Sequence, residues 1–164
     1  MEIRKAKIGE LEAIMLIIKE VVIDMQASGI DQWDTLYPNK EVIGEDIMQG
    51  NLYVSTEDDI IKGIVALNEA QAEEYGALDW KYSSGKQMII HRLCVKPTCQ
   101  RNGIAQSLIK FSEDFARSYV YNAIRLDTFI HNKRACKFYE QLQYEKVGIV
   151  NYRKGEFQCY EKVI

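Results

Sequence analysis

Between the apolar run that ends at Val95 and the apolar stripe that begins at Ile104, the chain carries Lys96-Pro97-Thr98-Cys99-Gln100-Arg101-Asn102-Gly103. Set between a strand and a helix, such a segment can bind an anion. The first backbone N–H groups of a helix have no intrahelical acceptor and carry the positive end of its dipole. Gly103 lets the backbone approach a ligand closely, Ala105 keeps the next position small, and Arg101 adds a fixed positive charge. A polar cap on an ordinary surface helix has the same composition, so spacing alone leaves both readings open. Two familiar phosphate loops are excluded: there is no GxxxxGK followed by Ser or Thr, and a lone Gly103 is not the GxGxxG of dinucleotide binders.

Other chemistries find less support. Cys94, Cys99, Cys136 and Cys159 lie far apart, with no CxxC pair and two histidines in the chain, which suggests neither a zinc site nor a disulfide framework. No metal is expected. Lys and Arg number 21 against 24 Asp and Glu, a net charge of -3 that speaks against nucleic acid as the main partner. The segment Ala13–Met25 is broken by Lys19, Glu20 and Asp24 and is too short for a membrane span, so no membrane partner is expected. Glu10 and Glu12 interrupt the place where a signal peptide would need an apolar core, and the expected location is the cytoplasm.

The elements that would position the segment follow from periodicity. Ile3 to Ala6 predicts a short strand. Leu11, Ile14, Met15, Ile18, Val22 and Met25 then recur at helical spacing until Ser28-Gly29, where glycine supplies a cap. An irregular aromatic stretch ends at Pro38, and a second helix follows over about Lys40 to Met48. Leu52–Thr56 and Ile60–Leu67, joined through Glu57-Asp58-Asp59, predict an antiparallel hairpin. The stretch from Gln71 to Lys86 has no convincing period and predicts a long loop of the functional or mobile kind. Met88–Val95 predicts a strand, Ile104 to about Ser118 a helix, and Ala123–Ile130 a strand. Asn132 is placed to cap a helix carrying Ala135, Phe138, Tyr139 and Leu142, and Tyr144–Tyr152 with Glu156–Val163 form a closing hairpin. This order predicts one domain over residues 1–164: an α/β (α+β) fold with a central, mostly antiparallel sheet and helices on both faces. The unit from Met88 to Ile130 would be a parallel crossover.

Gln100-Arg101-Asn102-Gly103-Ile104-Ala105 matches the Q/R-x-x-G-x-G/A signature of the GNAT superfamily of acetyl-CoA-dependent N-acetyltransferases. Leu93-Cys94-Val95-Lys96-Pro97 resembles that family's strand end before the loop. Asn132 through Tyr139-Glu140 resembles its N-x-x-A-x-x-F-Y-E helix, and the order of elements fits from Ile3 to Val163. One departure is Gln143-Tyr144 where the family usually has Gly-Phe, which removes the flexible helix cap and predicts a changed turn there.

The resemblance implies that acetyl-CoA is the acyl donor and that the backbone of Gln100, Arg101, Asn102, Gly103, Ile104 and Ala105 receives its pyrophosphate. Leu93, Cys94 and Val95 would splay from the neighbouring strand and pair with the pantetheine arm, one N–H steadying the thioester oxygen. Cys94 is better read as a buried structural thiol than as an acyl carrier. Asn132 would cap its helix and reach the cofactor. Tyr139 matches the tyrosine that commonly protonates the departing thiolate, a proton a phenol can deliver at neutral pH; its inward position also suits plain packing.

For a general base, some family members place a carboxylate where this chain has Ile89. His91 shares the face of Ile89 by strand alternation and titrates near neutrality, which makes it the leading candidate, while a satisfied structural histidine is the commoner explanation of such a residue. Water relayed to Glu73, Glu74 or Asp127 is another route. By family analogy the amine would lie by Trp33 and Tyr37, the segment with Glu73, Glu74 and Tyr75, Asp127 and the last hairpin; packing explains the two aromatics as well. The resulting expectation is transfer of acetyl to a primary amine of a small molecule, by direct attack in a ternary complex. A peptide or protein N-terminus is the nearest alternative, a non-catalytic CoA-binding sensor the alternative of another class, and a homodimer is compatible with the family's habits.

Overall fold

The computed structural model describes all 164 residues. The chain divides into two compact units, the first made of residues 1–67 and 91–112 and the second of residues 68–90 and 113–164.

In the first unit, strand β1 (Glu2–Lys5) pairs antiparallel with β2 (Leu52–Glu57), and β2 with β3 (Ile60–Asn68), Val54 lying opposite both Arg4 and Ile64. The β2–β3 turn has two residues, Asp58 and Asp59, both with positive φ (53° and 61°). Such mirror-image turns match the strand twist, and aspartate tolerates that region. Helix α1 (Leu11–Ala27) buries Ile14, Ile17, Ile18, Val21 and Val22, the face set by three- and four-residue spacing. It stops where Gly29 takes φ 73° and the Ile30 N–H reaches back to the Met25 carbonyl at 2.9 Å. Helix α2 (Lys40–Met48) starts at Asn39, whose side chain accepts from the Val42 N–H at 2.9 Å. These elements enclose one apolar cluster that includes Ile14, Ile43, Leu52, Val54, Ile64 and Trp33; emptying one such position by truncation to alanine costs about 2–5 kcal/mol.

Strand β4 (Gln87–Val95) runs from the second unit into the first, and helix α3 (Ile104–Ser118) does the reverse. Gly63 on β3 explains how α3 begins so close to the strands: a Cβ there would stand 3.0 Å from the Cys94 carbonyl oxygen and 3.2 Å from both Ile104 and Leu108.

In the second unit, β4 pairs parallel with β5 (Ala123–Phe129) at Gln87–Ile89, β5 pairs antiparallel with β7 (Gly155–Val163), and β7 with β6 (Glu145–Tyr152). Strand order across the seven-stranded sheet is β1-β2-β3-β4-β5-β7-β6. Helix α4 (Lys133–Gln141) is capped by Asn132, whose side chain accepts from the Ala135 N–H at 3.1 Å. The expected order of elements and the mixed, mostly antiparallel sheet are therefore present.

Two local expectations change. Gln143 adopts φ 66°, and the Tyr144 N–H bonds the Tyr139 carbonyl at 3.1 Å while the Gln143 N–H bonds that of Glu140 at 3.0 Å. The helix thus keeps a full Schellman ending without glycine, at a conformational cost of about 1–2 kcal/mol. The stretch from Gln71 to Lys86 is also more structured than its lack of period suggested. It contains a one-turn 3-10 helix, Glu73–Ala77, with Tyr75 buried. Beyond that turn, the Lys81 and Tyr82 N–H groups donate to the two oxygens of Glu161, at 2.7 and 3.2 Å. Glu161 lies on β7, 2% exposed, so a buried carboxylate distant in sequence orders this segment.

Candidate active site

The segment before α3 folds as a short cradle. A one-turn 3-10 helix (Pro97–Cys99) starts with proline, Gln100 is extended, and Arg101 and Gly103 both take positive φ, 63° and 76°. Backbone that passes through the left-handed region in a turn can present successive N–H groups to an anion. The N–H groups of Arg101, Asn102 and Gly103 find no acceptor in the chain, and the exposed Arg101 guanidinium has no partner. A Cβ built on Gly103 meets nothing within 4 Å, so the loop opens onto free space there. These residues fit a phosphate-bearing ligand. Gln100 is occupied by the protein itself: its side-chain amide donates to the Val95 carbonyl at 3.4 Å and to Asp24 Oδ2 at 3.5 Å, and its backbone N–H donates to the Pro97 carbonyl at 3.3 Å.

Behind the cradle, Cys94 and Val95 are buried and Leu93 is half-buried. Burial pushes the Cys94 thiol up to about 12, a protonated and unreactive state that agrees with a structural role. His91 is half-buried and engaged by the fold, next to the buried Ile89–Ile90 pair. Trp33, 6% exposed, is a member of the first unit's apolar cluster, so packing accounts for it. Tyr37 is exposed at 38% and its hydroxyl accepts a hydrogen bond from Arg92 at 3.0 Å.

The second unit holds the other named residues. Asp127 on β5 receives hydrogen bonds from the hydroxyls of Tyr75 (2.7 Å) and Tyr152 (3.0 Å), both on Oδ2. Its Oδ1 accepts nothing from the chain and is not sealed from solvent. Burial pushes the Asp127 carboxyl above its ordinary value, the two hydroxyl donors pull it down, and the charge of Glu74 adds to the rise. Burial and the Asp127 charge push both phenols up, so they remain protonated donors. A carboxylate so held has one fixed oxygen and one open to a cation or to a proton. Glu73 and Glu74 are exposed in the first turn of the 3-10 helix, without ion-pair partners.

Tyr139 is 7% exposed, among Phe138, Tyr144 and Tyr160, with ring centroids 5.3 to 6.0 Å away. Its hydroxyl makes no hydrogen bond within the chain yet keeps contact with solvent. Burial first, and then the Asp127 charge, push its phenol above the ordinary value. The two groups therefore feel one another within a single unit, a carboxylate with an open oxygen and a phenol with a free hydroxyl.

Sequence reasoning missed the tyrosine clamp on Asp127 and a buried ion pair between Asp46 and Arg92. Tyr152 lies 25 residues from Asp127 and Tyr75 lies 52, distances no local pattern spans. Asp46 did leave a signal: it shares the inward face of α2 with Ile43 and Ile47, where a lone carboxylate needs a partner.

No group of three or more His, Cys, Asp or Glu side chains is placed to hold a metal ion, and no helix is long and apolar enough to cross a membrane. Residues 27–144 match the model of the Acetyltransferase (GNAT) family. No curated protein matches the chain. Among solved structures, a GNAT-family acetyltransferase of Streptococcus agalactiae 2603 is 27% identical with a TM-score of 0.86, covering 99% of this chain and 95% of that one. The PaiA N-acetyltransferase of Thermoplasma acidophilum, solved in complex with coenzyme A, superposes at 0.75 with 20% identity over 99% and 98%. A ribosomal-protein-alanine N-acetyltransferase of Brucella melitensis superposes at 0.75 with 13% identity over the full length of both. At these last two identities the likeness is one of fold.

Proposed function

Because the chain belongs to the GNAT family of acetyltransferases, we propose that it transfers an acetyl group from acetyl-CoA to a primary amine of a small molecule. The observation that carries this reading is Asp127, one oxygen clamped by two tyrosines and the other open, within the same unit as the free hydroxyl of Tyr139.

Acetyl-CoA supplies the activated acetyl group as its thioester. The N–H groups of residues 101–103 and the Arg101 guanidinium hold the donor's phosphates, with Asn102, Ile104 and Ala105 completing the helix start. Leu93, Cys94 and Val95 offer backbone groups to its arm, and Asn132, the cap of helix α4, is the further donor-binding residue. Asp127 Oδ1 attracts the ammonium form of the acceptor and takes the proton that the amine must lose. Its raised pKa brings it nearer the working range of a base than an ordinary aspartate. This reading takes Asp127 ahead of His91 as the base because Asp127 keeps one oxygen without a donor from the chain while the other is fixed by two hydroxyls. Glu73 and Glu74 add negative charge that favours a cationic acceptor, and Tyr139 gives its hydroxyl proton to the leaving thiolate. Attack is direct, consistent with an unreactive Cys94. The acidic balance of the chain favours a small acceptor over a protein bound to nucleic acid.

The test is thiol release from acetyl-CoA across a panel of small amines and N-terminal peptides. Release that depends on a small amine supports the reading, release with peptides alone moves the acceptor class to protein N-termini, and CoA binding without any release reassigns the chain to a sensor.

A further inference from the structure

The first unit contains a strained residue where a glycine would be expected. Arg92, inside β4, has φ 53°. An arginine in the left-handed region persists only where its surroundings over-determine it. Here they do: Arg92 Nε and Nη2 donate to Asp46 Oδ2 and Oδ1 at 2.6 and 2.8 Å, a two-pronged pair with side chains 10% and 8% exposed. The third nitrogen, Nη1, donates to the Tyr37 hydroxyl at 3.0 Å. Each guanidinium nitrogen thus makes one hydrogen bond, and together they tie three separate pieces of chain: β4, α2 and the loop before Pro38.

The consequence for the strand is visible in its burial. Met88, Ile89 and Ile90 are buried in succession, residues 91–93 are half-buried, and Cys94 and Val95 are both buried. The alternation of a regular strand is broken around the kink. Beyond Leu93, Cys94 and Val95, the chain is pinned again by the Lys96 N–H to the Lys62 carbonyl at 2.8 Å. The intervening peptides have their path set at both ends. On the Tyr37 side, the loop is itself closed by Asp34, whose Oδ1 accepts from the Leu36 and Tyr37 N–H groups at 2.9 and 3.1 Å.

We propose that Arg92 is a positioning residue: its pair with Asp46 holds the kink that aims the Leu93–Val95 backbone at the acyl donor, and its bond to Tyr37 fastens the acceptor-side loop to the same point. This rests on the reading of Leu93–Val95 as donor-binding backbone. The role is backbone placement, and the arginine itself touches no substrate. Lysine at this position keeps the charge but cannot make both Asp46 bonds and the Tyr37 bond together.

The experiment compares the wild-type protein with Asp46→Asn, Arg92→Lys and Tyr37→Phe, measuring CoA affinity by calorimetry, kcat and KM for both substrates, and melting temperature on each sample. Asp46→Asn and Arg92→Lys are expected to weaken CoA binding by about tenfold, beyond what their melting temperatures explain. Tyr37→Phe removes one exposed hydroxyl, leaves the fold intact, and is expected to raise the amine KM several-fold while CoA affinity stays unchanged. Folded Asp46→Asn or Arg92→Lys protein that melts lower but binds CoA within about twofold of wild type overturns the proposal and leaves the pair a purely structural one. If Asp46→Asn does not fold, Arg92→Lys decides alone. A wild-type protein that binds no CoA overturns the donor-site reading and this proposal with it, whereas wild-type binding with unaffected variants overturns this proposal only.

Discussion

The two units prepare for ligands in opposite ways. In the first, the proposed recognition surface is main chain: N–H groups without acceptors at residues 101–103 and space over Gly103, while its charges Arg92 and Asp46 are paired with each other. In the second, the proposed surface is side chain: a carboxylate with one oxygen left open and a phenol with a free hydroxyl, both partly desolvated so that their proton affinities are raised. Backbone recognition tolerates most side-chain changes and fails when the path of the chain changes. Side-chain chemistry fails when one atom is replaced, even if the fold is untouched.

The sharpest break of that contrast is Asp127→Asn. The amide can still accept from Tyr75 and Tyr152 but can neither take a proton nor attract an ammonium, so kcat is expected to fall about 100-fold or more. Stability should not fall with it. Burial holds the folded-state carboxyl above its unfolded value, so the folded chain binds that proton more tightly. The contribution is fully present below the unfolded carboxyl pKa and is lost as pH rises through the folded-state value. Ionised Asp127 therefore costs stability at neutral pH, and chemical denaturation at pH 7 should find the asparagine variant at least as stable as wild type. The same raised carboxyl predicts a turnover rate that climbs with pH on the acidic limb, a limb that Asp127→Asn abolishes.

Tyr139→Phe comes next. Because the hydroxyl has no partner in the chain, its removal leaves packing against Tyr144 and Tyr160 intact and the melting temperature unchanged. Steady-state turnover is expected to drop by about 100-fold with CoA affinity retained. A smaller, purely conformational effect is expected from Gln143→Gly, which removes left-handed strain at the end of α4 and should stabilise the protein by about 1 kcal/mol in urea titrations, with no change in kinetics.

What the sequence disclosed divides along the same line. Features with local causes were legible: α2 from its Asn39 cap to Met48, the β2–β3 turn at Asp58-Asp59, α1 ending before Gly29, and the 100–105 loop through its motif and neighbours. Features made by distant partners were not. The Gln71–Lys86 stretch reads as a loose loop because the carboxylate that orders it, Glu161, is some eighty residues away. Asp127 was legible as a candidate, but its clamp by Tyr75 and Tyr152 exists only once β5, β6 and the 3-10 turn are assembled. The left-handed Arg92 and Gln143 defied prediction for a related reason: propensity assigns such backbone to glycine, and here Asp46 in one case and a helix ending in the other override it.

The central claim is that the loop before α3 is a backbone cradle for coenzyme A, and Gly103 tests it most directly. In the free protein a methyl group at this position meets nothing within 4 Å, so Gly103→Ala is expected to cost only the left-handed penalty of about 1–2 kcal/mol. With a phosphate seated over the loop the same methyl stands in its way. Calorimetric titration of coenzyme A into the folded wild-type and Gly103→Ala proteins should therefore show affinity falling by about tenfold or more. Equal affinity in the two proteins would contradict the account.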